Sequence, residues 1–180
     1  VLEDPRVGQP YVARSYIAAE RDSGAQEKAA ALTMLAEVLG GGTTAILDEK
    51  LQFDRQMAVF SRAYYRGGSL DDTTFDVVIV PVPGLDLQEA EAAMDAVLAQ
   101  FLIDGVDEEQ LDRIKYQLRA NQIYERDNVD GIARRYGAAM AVGLSVDDIQ
   151  AWPDILQAVT PEDIMEAARD VFVREASVTG

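Results

Sequence analysis

After Gly84 the apolar residues fall at helical spacing and continue to do so almost to the end of the chain. Leu87, Ala90, Met94, Val97, Leu98 and Phe101 make one stripe of an amphipathic helix. Gly105 interrupts it, and Asp107 opens a second helix carrying Leu111, Ile114 and Leu118. Further helices are predicted over 132–141, 146–158 and 161–173, the last with Thr160 as cap and Pro161 at its first position. A block of about five consecutive helices cannot supply the alternating crossovers of a parallel sheet, so the strands outside it must pair with one another.

Those strands are legible. "QPYVARSYIAA" reads as a strand near Tyr11 to Ala19. "QMAVFSRAYYR" and "TTFDVVIVPVP" flank the turn chemistry of "GGSLDD" and predict an antiparallel hairpin. The continuous apolar run Val77 to Val80 requires helices over at least one sheet face. "EASVT" closes the chain as a strand fragment. Between the first strand and the hairpin, Ala31, Leu32, Leu35, Val38 and Leu39 mark a helix from Glu27 to Leu39, with Gly40 as its stop. Thr43 or Thr44 is expected to cap a shorter helix over Ala45 to Leu51. The order is β-α-α-β-β, about five helices, then β. This defines an α+β class, a mostly antiparallel sheet with helices packed on one face, in a single domain over residues 1–180.

Composition excludes several functions. The 180 residues carry 48% hydrophobic and 27% charged side chains, ordinary for one globular domain. A net charge of −16 argues against nucleic acid and anionic lipid as partners. No apolar run reaches the roughly 20 residues of a membrane span, so no membrane insertion is expected. No signal peptide opens the sequence. Val1 is no natural initiator, which predicts a processed product or a piece of something larger. The absence of cysteine removes disulfides and thiolate chemistry. The absence of histidine removes His-based metal sites and Ser-His or Cys-His nucleophiles.

The glycines of "LGGGTTAILDEKLQ" invite a phosphate-loop reading, which fails. They follow a helix rather than a strand, and no Lys-Ser or Lys-Thr comes after them. Gly40, Gly41 and Gly42 read instead as a helix-to-helix corner requiring positive φ and close backbone approach. Three of the four acidic clusters (Asp107 to Glu109, Asp147-Asp148 and Glu162-Asp163, but not Asp71-Asp72) fall in predicted first turns, where dipole and capping explain them without a metal. "DNVDG" fails as a calcium loop, because Gly131 at the sixth position places Arg126 first and Gly137 twelfth. Arg113, Arg119, Arg126, Arg134 and Arg135 are candidates for binding a peptide carboxylate or a partner, with surface salt bridges as the simpler reading. Trp152 is most simply core.

Read in order, "DPRVGQPYVARSY", "ALTMLAEVLGGGTTAILDEKL", "AVFSRAYYRGG", "LDDTTFDVVIVPVPG", "LIDGVDEEQLDRIKYQL" and "VTPEDIMEAARDVF" resemble the insulinase/pitrilysin-type zinc metallopeptidases. The likeness is to the inactive, C-terminal-half domain of the processing-peptidase-like branch. It implies that the zinc motif H-x-x-E-H lies in an active domain upstream, absent here. It implies no cofactor in this chain, zinc in the missing domain, and no hydrolysis by this chain alone. Many members hold substrate backbone with an Arg and a Tyr from this kind of domain. Aligned on Gly40-Gly41-Gly42, those positions become Gln52 and Val59, so the pair is substituted. Gln52 retains a hydrogen-bond donor but not the charge or fork of arginine.

The resemblance therefore implies a non-catalytic domain of a bacterial zinc metalloendopeptidase that closes the chamber and helps bind peptide substrate. Its partners would be the N-terminal active domain of the same polypeptide and a second homologous subunit supplying the Arg/Tyr pair. The alternative is a scaffold domain of a catalytically dead homologue, as in respiratory-complex core proteins. The compartment implied is bacterial periplasm or cytoplasm, with the periplasm preferred.

Overall fold

The computed structural model describes residues 8–125 and 128–180, with only the backbone of 123–125. The start of "DPRVGQPYVARSY" and Arg126 therefore lie outside the described residues. Strands β1 (Val12–Ala18), β2 (Ala58–Tyr65), β3 (Thr73–Pro81) and β4 (Ser177–Thr179) form one antiparallel sheet in the order β2-β3-β1-β4. The helices are α1 (Glu27–Gly40), α2 (Leu87–Asp104), α3 (Glu108–Glu125), α4 (Val129–Ala141), α5 (Val146–Ala158) and α6 (Pro161–Val171). A π-helical segment, Asp48–Asp54, joins α1 to β2. The α+β class and the element order expected from the sequence are borne out.

Period-two alternation decides which sheet face is covered. Val12, Tyr16 and Ala18 of β1 and Phe75, Val77 and Ile79 of β3 turn inward and are buried under helices. The register sets Tyr16 opposite Phe75, and Phe172, just after α6, packs edge-on against both rings at 5.3 and 5.6 Å. Helix α6 stops at Val171, before the expected Val173, with Phe172 as its cap, its N–H donating to the Ala168 carbonyl at 3.0 Å. The other face stays open: Ile17, Tyr64 and Val178 all stand exposed on it. Tyr64, Asp76, Ser15 and Val178 run in register across all four strands of that face.

Helix α1 lies at the centre. Its sequence EKAAALTMLAEVLG buries residues nearly all round, among them Ala29, Ala30, Met34 and Ala36 beyond the stripe seen in the sequence. A helix apolar on every side belongs inside, and this one touches β2, α3, α5 and α6. Small alanines permit that close packing. Among the described residues Arg14, Asp76 and Asp148 carry charge into buried positions. Arg14, on the inward face of β1 and 1% exposed, pairs with Glu91 and Asp95 of α2, which Arg174 also engages. Its Nε donates to the Thr179 hydroxyl at 2.9 Å, so the same arginine ties β1 to β4.

Two local expectations are corrected. Gly40 does not stop α1; the helix includes it, and Gly41 is the cap, its N–H donating to the Glu37 carbonyl at 2.9 Å. The second helix is not capped by Thr43 or Thr44; the segment has no side-chain cap and runs as a π-helix to Asp54. Its turn is closed by backbone, Ala45 N–H to the Gly42 carbonyl at 2.8 Å.

Candidate functional site

The corner between α1 and β2 gathers the sequence-predicted positions. Gly41 has φ −78°, and none of Gly40, Gly41 and Gly42 has positive φ, contrary to expectation. Close approach is the real requirement, and it differs among the three. A Cβ on Gly40 would stand 2.0 Å from the backbone nitrogen of Ala63, because α1 crosses β2 there without room for a side chain. A Cβ on Gly41 would meet the Glu37 backbone at 2.7 Å, whereas one on Gly42 would meet nothing within 4 Å.

Around these glycines the polar groups close on one another. Buried Gln110 of α3 donates to the carbonyl of Val38 at 3.2 Å, in the last turn of α1, and to that of Thr44 at 3.0 Å, in the loop beyond it. Burial raises the pKa of Glu37, with Arg62 opposing. Gln52 sits one helical step from Asp48 and donates to its carboxylate; it also donates to the Ser61 hydroxyl at 2.9 Å. Ser61 in turn donates to Asp48. Val59 lies two residues before Ser61, at an irregularity of β2 between Ala58 and Phe60, and is half exposed. The structure thus brings Gln52 and Val59 to the same end of β2, and Gln52 is bound internally. Asp48, Ser61 and Gln110 were missed in the sequence; only the i,i+4 spacing of Asp48 and Gln52 signalled a pair.

The acidic clusters serve as caps. Asp107 accepts from Glu109 N–H at 3.0 Å. Asp148 and Asp163 complete capping boxes with Ser145 and Thr160 at the starts of α5 and α6. Asp148 does more. Bonds from the Ser145 and Ser23 hydroxyls, then from the Ser145 and Gly24 amides, hold its carboxyl well below the usual range. Among the described residues no three acidic side chains gather as metal ligands.

The arginines separate. Arg119 and Arg135 both line a groove of about 560 Å³ between α3, α4 and α5, whereas Arg113 and Arg134 do not. Among the described residues Arg113, Arg119 and Arg134 make none of the salt bridges expected of them. Trp152 is at the core's edge rather than within it, with the Arg21 guanidinium 3.8 Å from its ring centroid. No sequence signal linked Arg21 to Trp152, since the two lie in elements far apart in the chain.

Residues 1–118 match the family model described as the peptidase M16 inactive domain. The chain belongs to this family, as its inactive domain, in agreement with the resemblance drawn from the sequence. Solved structures share the fold. A protease from Helicobacter pylori superposes with TM-score 0.85 at 18% identity, over 94% of this chain and 39% of that one. The inactive peptidase domain of a candidate zinc protease from Bordetella parapertussis gives 0.83 at 17% identity, over 96% and 89%. The periplasmic protease PqqL from Escherichia coli gives 0.68 at 16% identity, over 96% of this chain and 19% of that one. No curated protein matches the sequence. The chain therefore spans well under half of the H. pylori protease whose fold it shares.

Proposed function

We propose that this chain is the non-catalytic half of a zinc metallopeptidase, packing against an active domain of the same polypeptide, closing its chamber and helping to hold an extended peptide. The observation that carries this reading is the half-covered sheet. Ile17 and Val178 are 62% and 75% exposed on a face that spans all four strands, and such a face calls for a partner. Strand β2 is a sheet edge, beside which an extended peptide adds as a further strand. Gln52 and Val59 stand at the start of that edge. Zinc belongs to the active domain in this reading, and the peptide clamp to a second homologous subunit, because Gln52 is bound to Asp48 and Ser61 and Val59 has no hydroxyl. The periplasmic relative supports a periplasmic setting.

The test mixes the full-length parent with a candidate partner subunit and follows zinc-dependent cleavage of an unfolded peptide. Cleavage only in the mixture supports the division of labour. Full activity of the parent alone removes the second subunit. Loss of the H-x-x-E-H motif from the parent gives the scaffold reading instead. Within the parent, Val178→Asp should loosen the docking of the two domains, read as faster limited proteolysis between them; unchanged proteolysis would place the interface elsewhere.

A further inference from the structure

In the groove between α3, α4 and α5, cationic and aromatic groups converge in an otherwise acidic molecule. None of its lining residues is acidic, although the chain holds 32 Asp and Glu against 16 Lys and Arg. Arg21 is its innermost cation. The guanidinium lies over Trp152, its Nε donates to Gln26 at 2.6 Å and its Nη2 to the Asp148 carbonyl at 3.1 Å. Both acceptors are neutral oxygens. Among the described residues no carboxylate lies within ion-pair distance of Arg21, and Nη1 donates to nothing. Arg119 adds an exposed guanidinium on α3, and Arg135 faces the groove from α4. The opposite wall is apolar. Ile132, Tyr136 and Ala139 of α4 sit at i, i+4 and i+7 and line the groove, yet no residue of α4 is buried. Among the described residues, that helix face packs only in part, against α5, and otherwise lines the groove.

Asp148 attracts the Arg21 guanidinium from beyond ion-pair distance, its carboxylate being taken up by Ser145, Ser23 and Gly24. A half-buried arginine stacked on tryptophan, with donors left over and no direct ion pair, is preorganised for a carboxylate. The apolar wall opposite suits a side chain carried next to that carboxylate. A volume of about 560 Å³ holds a few residues. We propose that this groove binds an acidic peptide segment bearing an aromatic or aliphatic side chain, with its carboxylates on Arg21 and Arg119 and its apolar side chain against α4. The site lies on the helical layer, away from the open sheet face and from Gln52 and Val59. It is independent of the docking proposed above.

Trp152 is the sole tryptophan and reports directly on the groove. The probe is an acetylated, amidated tetrapeptide with two glutamates and one aspartate around a phenylalanine, titrated while Trp152 emission is followed. A saturable change is expected, weakened by added salt and reduced about tenfold in affinity by Arg119→Gln. Arg119 is exposed and makes no bond among the described residues, so the circular dichroism of this variant should match the parent. Arg113→Gln, on the same helix but outside the groove, should leave affinity unchanged. The proposal is overturned if no saturable change appears, or if the peptide with glutamine and asparagine in place of its acids binds equally well. It is also overturned if Arg113→Gln weakens binding as much as Arg119→Gln, or if inorganic phosphate matches the acidic peptide. Self-association on gel filtration that the peptide fails to reverse would assign the groove to a second copy of the chain.

Discussion

The glycine corner and the groove beside Trp152 differ in how far their polar groups are satisfied from within. At the corner, Asp48, Gln52 and Ser61 close a triangle, and Gln110 takes up the carbonyls of Val38 and Thr44. In the groove, Arg21 finds only neutral acceptors and Arg119 finds none among the described residues. The segment that looks most like a binding loop in the sequence is the one most fully used to hold the fold together. The segment that remains open chemically has no motif at all. A site is marked less by suggestive residues than by polar groups the fold leaves without partners.

The sharpest way to break this contrast is Gly40→Ala. A methyl group 2.0 Å from the Ala63 nitrogen cannot be relieved by a side-chain rotation, so α1 and β2 must separate. The expected loss is about 3 kcal/mol or more by denaturant unfolding. Gly42→Ala, with open space around it, should change little; an equal loss at both positions would show that glycine acts there through flexibility rather than contact.

Asp148→Asn comes next, since Asp148 fastens the loop carrying Arg21, Ser23 and Gly24 to the start of α5. Its carboxyl has a lowered folded-state pKa, so its stabilisation is present above the ordinary carboxylate value and is lost as pH falls through the folded one. The variant should be less stable than the parent at neutral pH, and the two should converge in acid. A constant difference across the acid range, followed by circular dichroism, would mean that the charge is not what Asp148 contributes.

A smaller effect is expected at the corner from Gln52→Leu. It removes two hydrogen bonds from a half-buried site where Asp48 keeps Ser61, costing about 1 kcal/mol in thermal or chemical unfolding. No loss at all would return Gln52 to the list of residues available for substrate. Smallest is Arg119→Gln, expected to move stability by less than about 0.5 kcal/mol while weakening peptide binding. A large stability loss there would show that the groove, like the corner, is structural.

Much of this was visible before any coordinates. Strand-forming runs in "QPYVARSYIAA" and "TTFDVVIVPVP" marked two strands, and Thr160 followed by Pro161 marked the start of α6. These are short-range signals, carried within a few residues by sterics and backbone hydrogen bonding. Arg14 was also legible in principle, because it alternates with Val12 and Tyr16 on the buried face, but its partners Glu91 and Asp95 are far along the chain.

By itself, then, the sequence determined the element order, the α+β class and the family, and its lack of histidine and cysteine removed whole branches of chemistry. Only the tertiary structure decided that Gly40 is required by contact with β2 rather than by its own φ, because the constraint comes from a strand some twenty residues on. The same holds for Gln52, turned inward by Asp48 and Ser61, and for Arg21, brought onto Trp152 by the docking of α5. Local propensity is written in neighbouring residues. Which polar groups end up satisfied depends on which distant elements the fold sets beside them.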